Sequence, residues 1–284
     1  MAKSMAALQM PALHPGEEVP ADNCFHRFDA RMAQHGPAWY KSYDKRKDWF
    51  GIPVITDEVF TGMYRLGQRW SSSLIKVNPD IRVTAKLLTG GLVPLAATVA
   101  TEPIYEAFLS DDKADALLHG HSYTAHAVGC QVALKAIQEY ESMNGEVPIS
   151  ASKSRRRAND DAWGPFKKDW LDSRDERNTR DIDTWSAWSN DFVTRLSFRE
   201  DVQGVFALGF VLSVELKDSQ GSGYSSTASY GIRERLLQGQ PGATDAVHCR
   251  VLGNVLYFMA SLTSTQDTLA RVEEQIEWAM NTSS

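Results

Sequence analysis

The sequence predicts an α/β fold on a mostly parallel sheet, followed by a small α+β unit, and three observations carry that expectation. Two short β-branched runs, "GIPVITDEVF" and "DIRVTAK", each end in charged residues and read as parallel strands buried on both faces. A segment of helical composition, "SYTAHAVGCQVALKAIQEYE", comes after them. The C-terminal stretch then runs through strand pair, helix, hairpin and helix patterns, the content of an α+β unit of about a hundred residues.

Taken in order, residues 1–50 show no sustained apolar period and hold Pro, Gly, His and the charged run "KSYDKRKD", so they read as loop with one helix around positions 28–32. Residues 51–143 hold the two strands and the long helix. In that helix Ala125, Ala127, Gly129, Ala133 and Ala136 are small enough for close approach, so its first turn is expected to face a tightly packed neighbour. Residues 144–183 are polar and mixed in charge ("SKSRRRANDD", "DSRDERNTRDID"), which reads as a solvated insertion. Residues 184–284 form the small unit: "GVFALGFVLSVELK" is a strand or strand pair, "YSSTASYGIRERLLQ" a helix, "VHCRVLGNVLYFMAS" a hairpin turning at Gly253-Asn254, and "TQDTLARVEEQIEWAM" a closing amphipathic helix. No internal repeat is visible.

Composition narrows the function. With 284 residues, 43% hydrophobic and 23% charged, the chain has the make-up of a folded protein with one large domain or two smaller ones. A net charge of −6 gives no basic field for nucleic acid or an anionic membrane, which leaves small-molecule ligands as the default. Cys24, Cys130 and Cys249 are scattered, an arrangement suited to a reducing compartment rather than a disulfide scaffold. No apolar run reaches the roughly 18 to 20 residues of a membrane span, and the first residues lack a secretory h-region or an Arg-rich transit pattern.

One lysine stands apart. Lys86 sits in "AKLLTGGLVPLAAT", among uncharged residues, just before a Thr-Gly-Gly turn. Burying that ammonium without a partner would cost several kcal/mol, so the side chain either points outward or has a task. Asp57 ends the first expected strand and Lys86 the second, and open α/β sheets bind ligands at the carboxyl ends of their strands. An amine and an acid meeting there suit pyridoxal phosphate, whose aldehyde takes the amine while a carboxylate keeps the pyridine nitrogen protonated. The alternative stays open on spacing alone: a helix-cap aspartate and an exposed lysine. Thr89-Gly90-Gly91 would let backbone approach a ring or phosphate, though "LLTGG" is no P-loop.

In order and spacing, "ITDEVFTGMYRLG", "AKLLTGGLVPLAATVATE" and "LLHGHSYTAHAVGCQVAL" resemble the class III aminotransferases, fold type I enzymes that use pyridoxal phosphate. "FVTRLSF", "GVFALGFVLSVELKD", "GSGYSSTAS" and "HCRVLGNVLYFM" continue the likeness to the end of the chain. It is strongest to the members that pass an amino group from S-adenosylmethionine to 8-amino-7-oxononanoate in biotin biosynthesis, and less specifically it admits another donor and acceptor. The resemblance implies that Asp57 pairs with the pyridinium nitrogen, Val59 packs on the ring face and Lys86 is the Schiff-base lysine. It further implies that Ser122 binds the cofactor phosphate of a neighbouring subunit in a homodimer and that Arg250 receives the substrate carboxylate. A hydroxyl before a helix suits phosphate but equally suits a plain N-cap, and Arg250 reads alternatively as a surface arginine. By resemblance to the eukaryotic enzymes the compartment is the mitochondrion; the cytoplasm is the alternative.

The pattern breaks ahead of "DEVFTG", where family members carry a long segment with a phosphate cup and a stacking aromatic, and where Trp39, Tyr40 and Tyr43 cannot be matched to that role. The expectation is therefore an N-terminally truncated family chain, with an inactive remnant as the rival reading. "YFMASLT" also departs from the family's usual Leu-Met-Pro-Pro wording around Ala260 and Ser261. A metal site at His119, His121 and His126 is the remaining rival, and it lacks a further ligand at suitable spacing.

Overall fold

A computed structural model describes residues 53–115, 120, 122–146, 161–173, 184–218, 223–242 and 246–282. The expected helix at 28–32, the N-terminal aromatics, Cys24, His119 and His121 lie outside them. By its contacts the chain divides into two compact units, one ending at Glu141 and one formed by Ser142–Ser284 together with Arg65–Gly67.

The first unit holds β1 (Ile55–Asp57), β2 (Ile81–Thr84) and β3 (Ala97–Ala100) in one sheet, in that order. The two strands expected from sequence pair in parallel, Asp57 opposite Val83, but β3 is antiparallel to β2, so one of the two pairings departs from a parallel sheet. Nor are the strands buried on both faces: Thr56 and Thr84 are buried while Ile55 is 43% exposed. Period-two alternation, with one open face, replaces the expected two-sided burial. A short helix α1 (Glu102–Glu106) follows β3, with Pro103 in its first turn, where no amide donor is needed.

Helix α2 (Ala127–Met143) matches the helical reading from Ala127 onward, while Ser122–Ala125 form a turn ahead of it, with Ala125 left-handed at φ 54°. Its first turn meets a close neighbour at one residue: Ala127 and Val128 are exposed, but Gly129 is buried, and an added Cβ there would stand 3.3 Å from Leu95. Farther along, Tyr140 is buried and donates to the Leu87 carbonyl at 3.0 Å. That bond ties α2 to the turn after β2.

The second unit contains α3 (Gly164–Asp172), α4 (Asn190–Ser197), β4 (Val202–Leu208), β5 (Val211–Leu216), α5 (Tyr230–Gln238), β6 (Arg250–Leu252), β7 (Val255–Met259) and α6 (Gln266–Asn281). Its sheet is antiparallel in the order β4-β5-β7-β6, and the β6–β7 hairpin turns at Gly253-Asn254 as its sequence indicates. The solvated reading of 144–183 needs correction where it can be seen, because Trp163 and Phe166 are both buried. Trp163 packs with Trp185 and Phe210 at centroid separations of 5.9 and 5.4 Å and donates its Nε1–H to the Leu262 carbonyl. Large aromatic area outweighs the polar composition around it.

Sequence spacing explains α6, whose Leu269, Glu273, Ile276 and Met280 recur at helical intervals and are buried. Glu273 is the exception in that apolar stripe. Its carboxylate accepts from the Ser189 amide at 2.7 Å and the Ser189 hydroxyl at 2.8 Å, while Ser189 Oγ caps α4 by accepting from Phe192. Burial pushes the Glu273 carboxyl above the ordinary glutamate value, against the opposing pull of the Ser189 hydrogen bonds and Arg195. A folded pKa above the unfolded one means the folded state holds the proton longer, so this group favours folding most at low pH and loses that contribution as pH rises through the raised value. Glu273→Gln is expected to flatten the pH dependence of stability above the ordinary glutamate range, measured by urea unfolding, at a cost within about 1 kcal/mol because the amide still bridges Ser189. An unchanged pH slope would show that Glu273 does not supply it.

Candidate active site

Asp57 and Lys86 reach the same end of the first sheet from neighbouring parallel strands. Asp57 is the last residue of β1, and Lys86 stands three positions beyond Val83, the register partner of Asp57. Both side chains are exposed, so the desolvation that made Lys86 notable in the sequence is absent and its ammonium is solvated. What distinguishes Lys86 is its backbone. It opens the 3-10 turn Lys86–Thr89 with φ 50°, a left-handed conformation that costs a side-chain-bearing residue roughly 1–2 kcal/mol.

The rest of the turn shows what holds that conformation. Leu88 and Thr89 are buried, Thr89 Oγ1 donates to the Val93 carbonyl at 2.6 Å, and Leu87 accepts from Tyr140. Gly90 and Gly91 follow with φ 62° and 81°, values that favour glycine, and a Cβ at Gly91 would meet nothing within 4 Å. Lys86 Nζ lies 5.5 Å from the Phe60 ring centroid. Asp57 Oδ1 accepts from the Val59 amide at 3.1 Å, which fixes the carboxylate over its own turn and leaves Oδ2 available. Val59 is half-buried.

Ser122 is exposed and is not hydrogen-bonded to Asp57, Val59 or Lys86. The plain N-cap alternative for it does not hold, because His126 fills that place: its Nδ1 accepts from the Gly129 amide at 3.2 Å. That bond commits one nitrogen of the only histidine of the cluster that is described, and no group of metal-ligating side chains occurs among the described residues. Arg250 belongs to the second unit, as the exposed first residue of β6 opposite Tyr257.

Glu58, the carboxylate next to Asp57, escaped the sequence reading. It is fully buried and faces away from Asp57, ion-paired with Arg82 at 3.0 Å. Alternation across a strand was the available signal, since neighbours in "TDE" must point to opposite faces.

An exposed amine and an exposed carboxylate at adjacent strand ends, beside two open glycines, fit the donor set of a pyridine aldehyde phosphate. Residues 38–151 match the family model Aminotransferase class-III. The chain is 52% identical over 225 residues to the bifunctional dethiobiotin synthetase/adenosylmethionine-8-amino-7-oxononanoate aminotransferase of Emericella nidulans, covering 79% of this chain and 26% of that protein. It is 40% identical over 223 residues to the mitochondrial bifunctional dethiobiotin synthetase/7,8-diamino-pelargonic acid aminotransferase of Oryza sativa, covering 78% and 23%. Among solved structures, the adenosylmethionine-8-amino-7-oxononanoate aminotransferase of Methanocaldococcus jannaschii superposes with a TM-score of 0.62 at 25% identity, over 89% of this chain and 49% of that one. The chain thus spans about a quarter of the two bifunctional relatives and about half of the archaeal structure.

Proposed function

From the premise that this chain carries class III aminotransferase sequence, we propose that it is the lysine-bearing part of a pyridoxal-phosphate transaminase of biotin biosynthesis. The proposed reaction moves the amino group of S-adenosylmethionine to 8-amino-7-oxononanoate. The observation that carries this reading is the placement of exposed Asp57 and exposed, left-handed Lys86 at the same end of the parallel pair β1 and β2.

Pyridoxal phosphate, when bound, supplies an aldehyde for covalent capture of an amine and a pyridinium that accepts the electron pair released at the substrate carbon. Lys86 Nζ offers the amine and, when free, takes and returns the proton at that carbon. Asp57 holds a proton on the ring nitrogen through its uncommitted Oδ2, and Val59 presents an apolar face beside it. Gly90 and Gly91 leave room for backbone to approach the ring or phosphate. Ser122 offers a hydroxyl to the phosphate of a second copy, and Arg250 offers a planar fork to the substrate carboxylate. A homodimer is supported by large apolar side chains left open on the first unit, Leu92 at 79%, Leu109 at 67% and Val128 at 58% exposure. Among the described residues no helix is long and apolar enough to cross a membrane, and a mitochondrial site rests on the plant relatives.

The test is complementation of a biotin auxotroph lacking this aminotransferase, with the chain alone and with the chain joined to the N-terminal half of a family member. Growth only with the joined chain is the expected result. Growth with neither would defeat the assignment. In the joined enzyme Asp57→Asn is expected to lower transamination by several orders of magnitude, because a neutral amide does not hold the ring nitrogen protonated. A near-normal rate, measured directly, would remove Asp57 from that role.

A further inference from the structure

The face of the first sheet opposite Asp57 is built from polar groups that the proposed reaction does not use. Thr56, Glu58 and Thr84 are buried there at 4%, 0% and 1% exposure. Glu58 Oε1 accepts from Arg82 Nε at 3.0 Å and Thr56 Oγ1 at 3.1 Å, and its Oε2 accepts from the Ser71 amide at 2.7 Å and hydroxyl at 3.1 Å. Arg82 reaches on to Ser72 Oγ at 3.0 Å and lays its guanidinium 4.4 Å from the centre of the Trp70 ring. The Glu58 backbone is bound as well, its amide to the Val83 carbonyl and its carbonyl to the Gly62 amide.

We propose that Glu58 and Arg82 are positioning residues for the Asp57–Lys86 site, locking the ends of β1 and β2 together from the opposite face of the sheet. This rests on the function proposed above. The strands are three and four residues long, too short for the backbone ladder alone to hold their ends rigidly. Asp57 precedes Glu58 directly, and Lys86 follows Arg82 by four positions, so the ion pair joins the two chain segments that carry the site. The Asp57 side chain accepts from the Val59 amide, inside the turn that Glu58 anchors.

Chemistry makes the pair hard to replace. All four contacts to the Glu58 carboxylate come from donors, two on each oxygen, so in Glu58→Gln one –NH2 must face donors whichever way the amide turns. Arg82→Lys keeps the charge but loses the fork that spans Glu58 and Ser72 and the guanidinium contact with the Trp70 ring.

The experiment uses the full chain with millimolar pyridoxal phosphate, borohydride reduction and peptide mass spectrometry to locate the trapped adducts. The parent chain is expected to carry them chiefly on Lys86. Glu58→Gln and Arg82→Lys should each lower the Lys86-to-Lys76 ratio about tenfold or more, since small misplacements of reacting groups have effects of that size. Phe192→Leu, in the core of the second unit, supplies a control of reduced thermal stability that should leave the ratio at the parent value. If Glu58→Gln fails to fold, Arg82→Lys decides the matter. An unchanged ratio in the folded variants, or an equal fall in the control, overturns the positioning role. A parent chain with no preference for Lys86 overturns the functional reading and this inference with it.

Discussion

Lys86→Ala is expected to abolish trapping of pyridoxal phosphate at the end of β2 while leaving the unfolding midpoint close to that of the parent chain. The side chain is exposed, and its one ring contact, 5.5 Å from the Phe60 centroid, is of the solvated kind worth about 0.5–1 kcal/mol. Alanine inherits the same left-handed backbone and about the same strain, so that cost cancels. The amine has no such substitute, because a methyl group cannot condense with an aldehyde. Absorbance and borohydride reduction read the loss, and thermal unfolding reads the stability. Lys76 sharpens the test: it too is exposed and left-handed, at φ 55°, but it caps the 3-10 turn Ser71–Ile75 rather than following β2. A borohydride-sensitive band that survives in Lys86→Ala and maps to Lys76 would show the site assigned to the wrong turn.

Gly209→Ala should have the largest effect on stability, enough to unfold the second unit or cost it on the order of 4 kcal/mol or more. Gly209 has φ 53°, and a Cβ there would lie 2.2 Å from the Gly67 amide nitrogen and 2.3 Å from the Leu66 carbonyl carbon. Backbone, not a flexible side chain, occupies that space. The same residue joins three segments: its amide donates to Trp185, its carbonyl accepts from Ala187, and the next amide donates to Arg65. Moving one strand to admit a methyl group therefore breaks bonds to the others. Gly242→Ala separates strain from collision, for it shares a positive φ of 85° but has nothing within 4 Å of the added carbon. That variant should cost only about 1 kcal/mol. Chemical denaturation followed by tryptophan fluorescence measures both, and equal small losses would mean the approach at Gly209 is not tight.

Much of this architecture is legible because the responsible forces are local. The β6–β7 turn at Gly253-Asn254, the period of α6 and the strand end at Asp57 all follow from patterns within a few residues, whereas β2 stops at Thr84 and Lys86 opens the turn beyond it. Helix α3 was missed for the opposite reason: its neighbourhood is polar, and Trp163 is buried by partners such as Phe210 that lie far along the chain. Strand β3 was missed because Ala97–Ala100 is too short and too exposed to show a pattern. The first-turn packing expected of α2 holds at Gly129 but not at Ala127, since a small side chain permits a close approach without supplying a partner.

By itself the sequence determined the helical periods of α2 and α6, the likeness to class III aminotransferases and the candidacy of Asp57, Val59, Lys86, Ser122 and Arg250. Those depend on residue type and spacing, which a linear chain displays in full. Tertiary structure decided that Lys86 is solvated and left-handed rather than buried, and that His126 rather than Ser122 caps α2. It also decided that of two adjacent carboxylates Asp57 faces outward while Glu58 is spent on Arg82. Burial and pairing are set by what folds against a residue from elsewhere in the chain, and that partner is invisible until the chain has closed on itself.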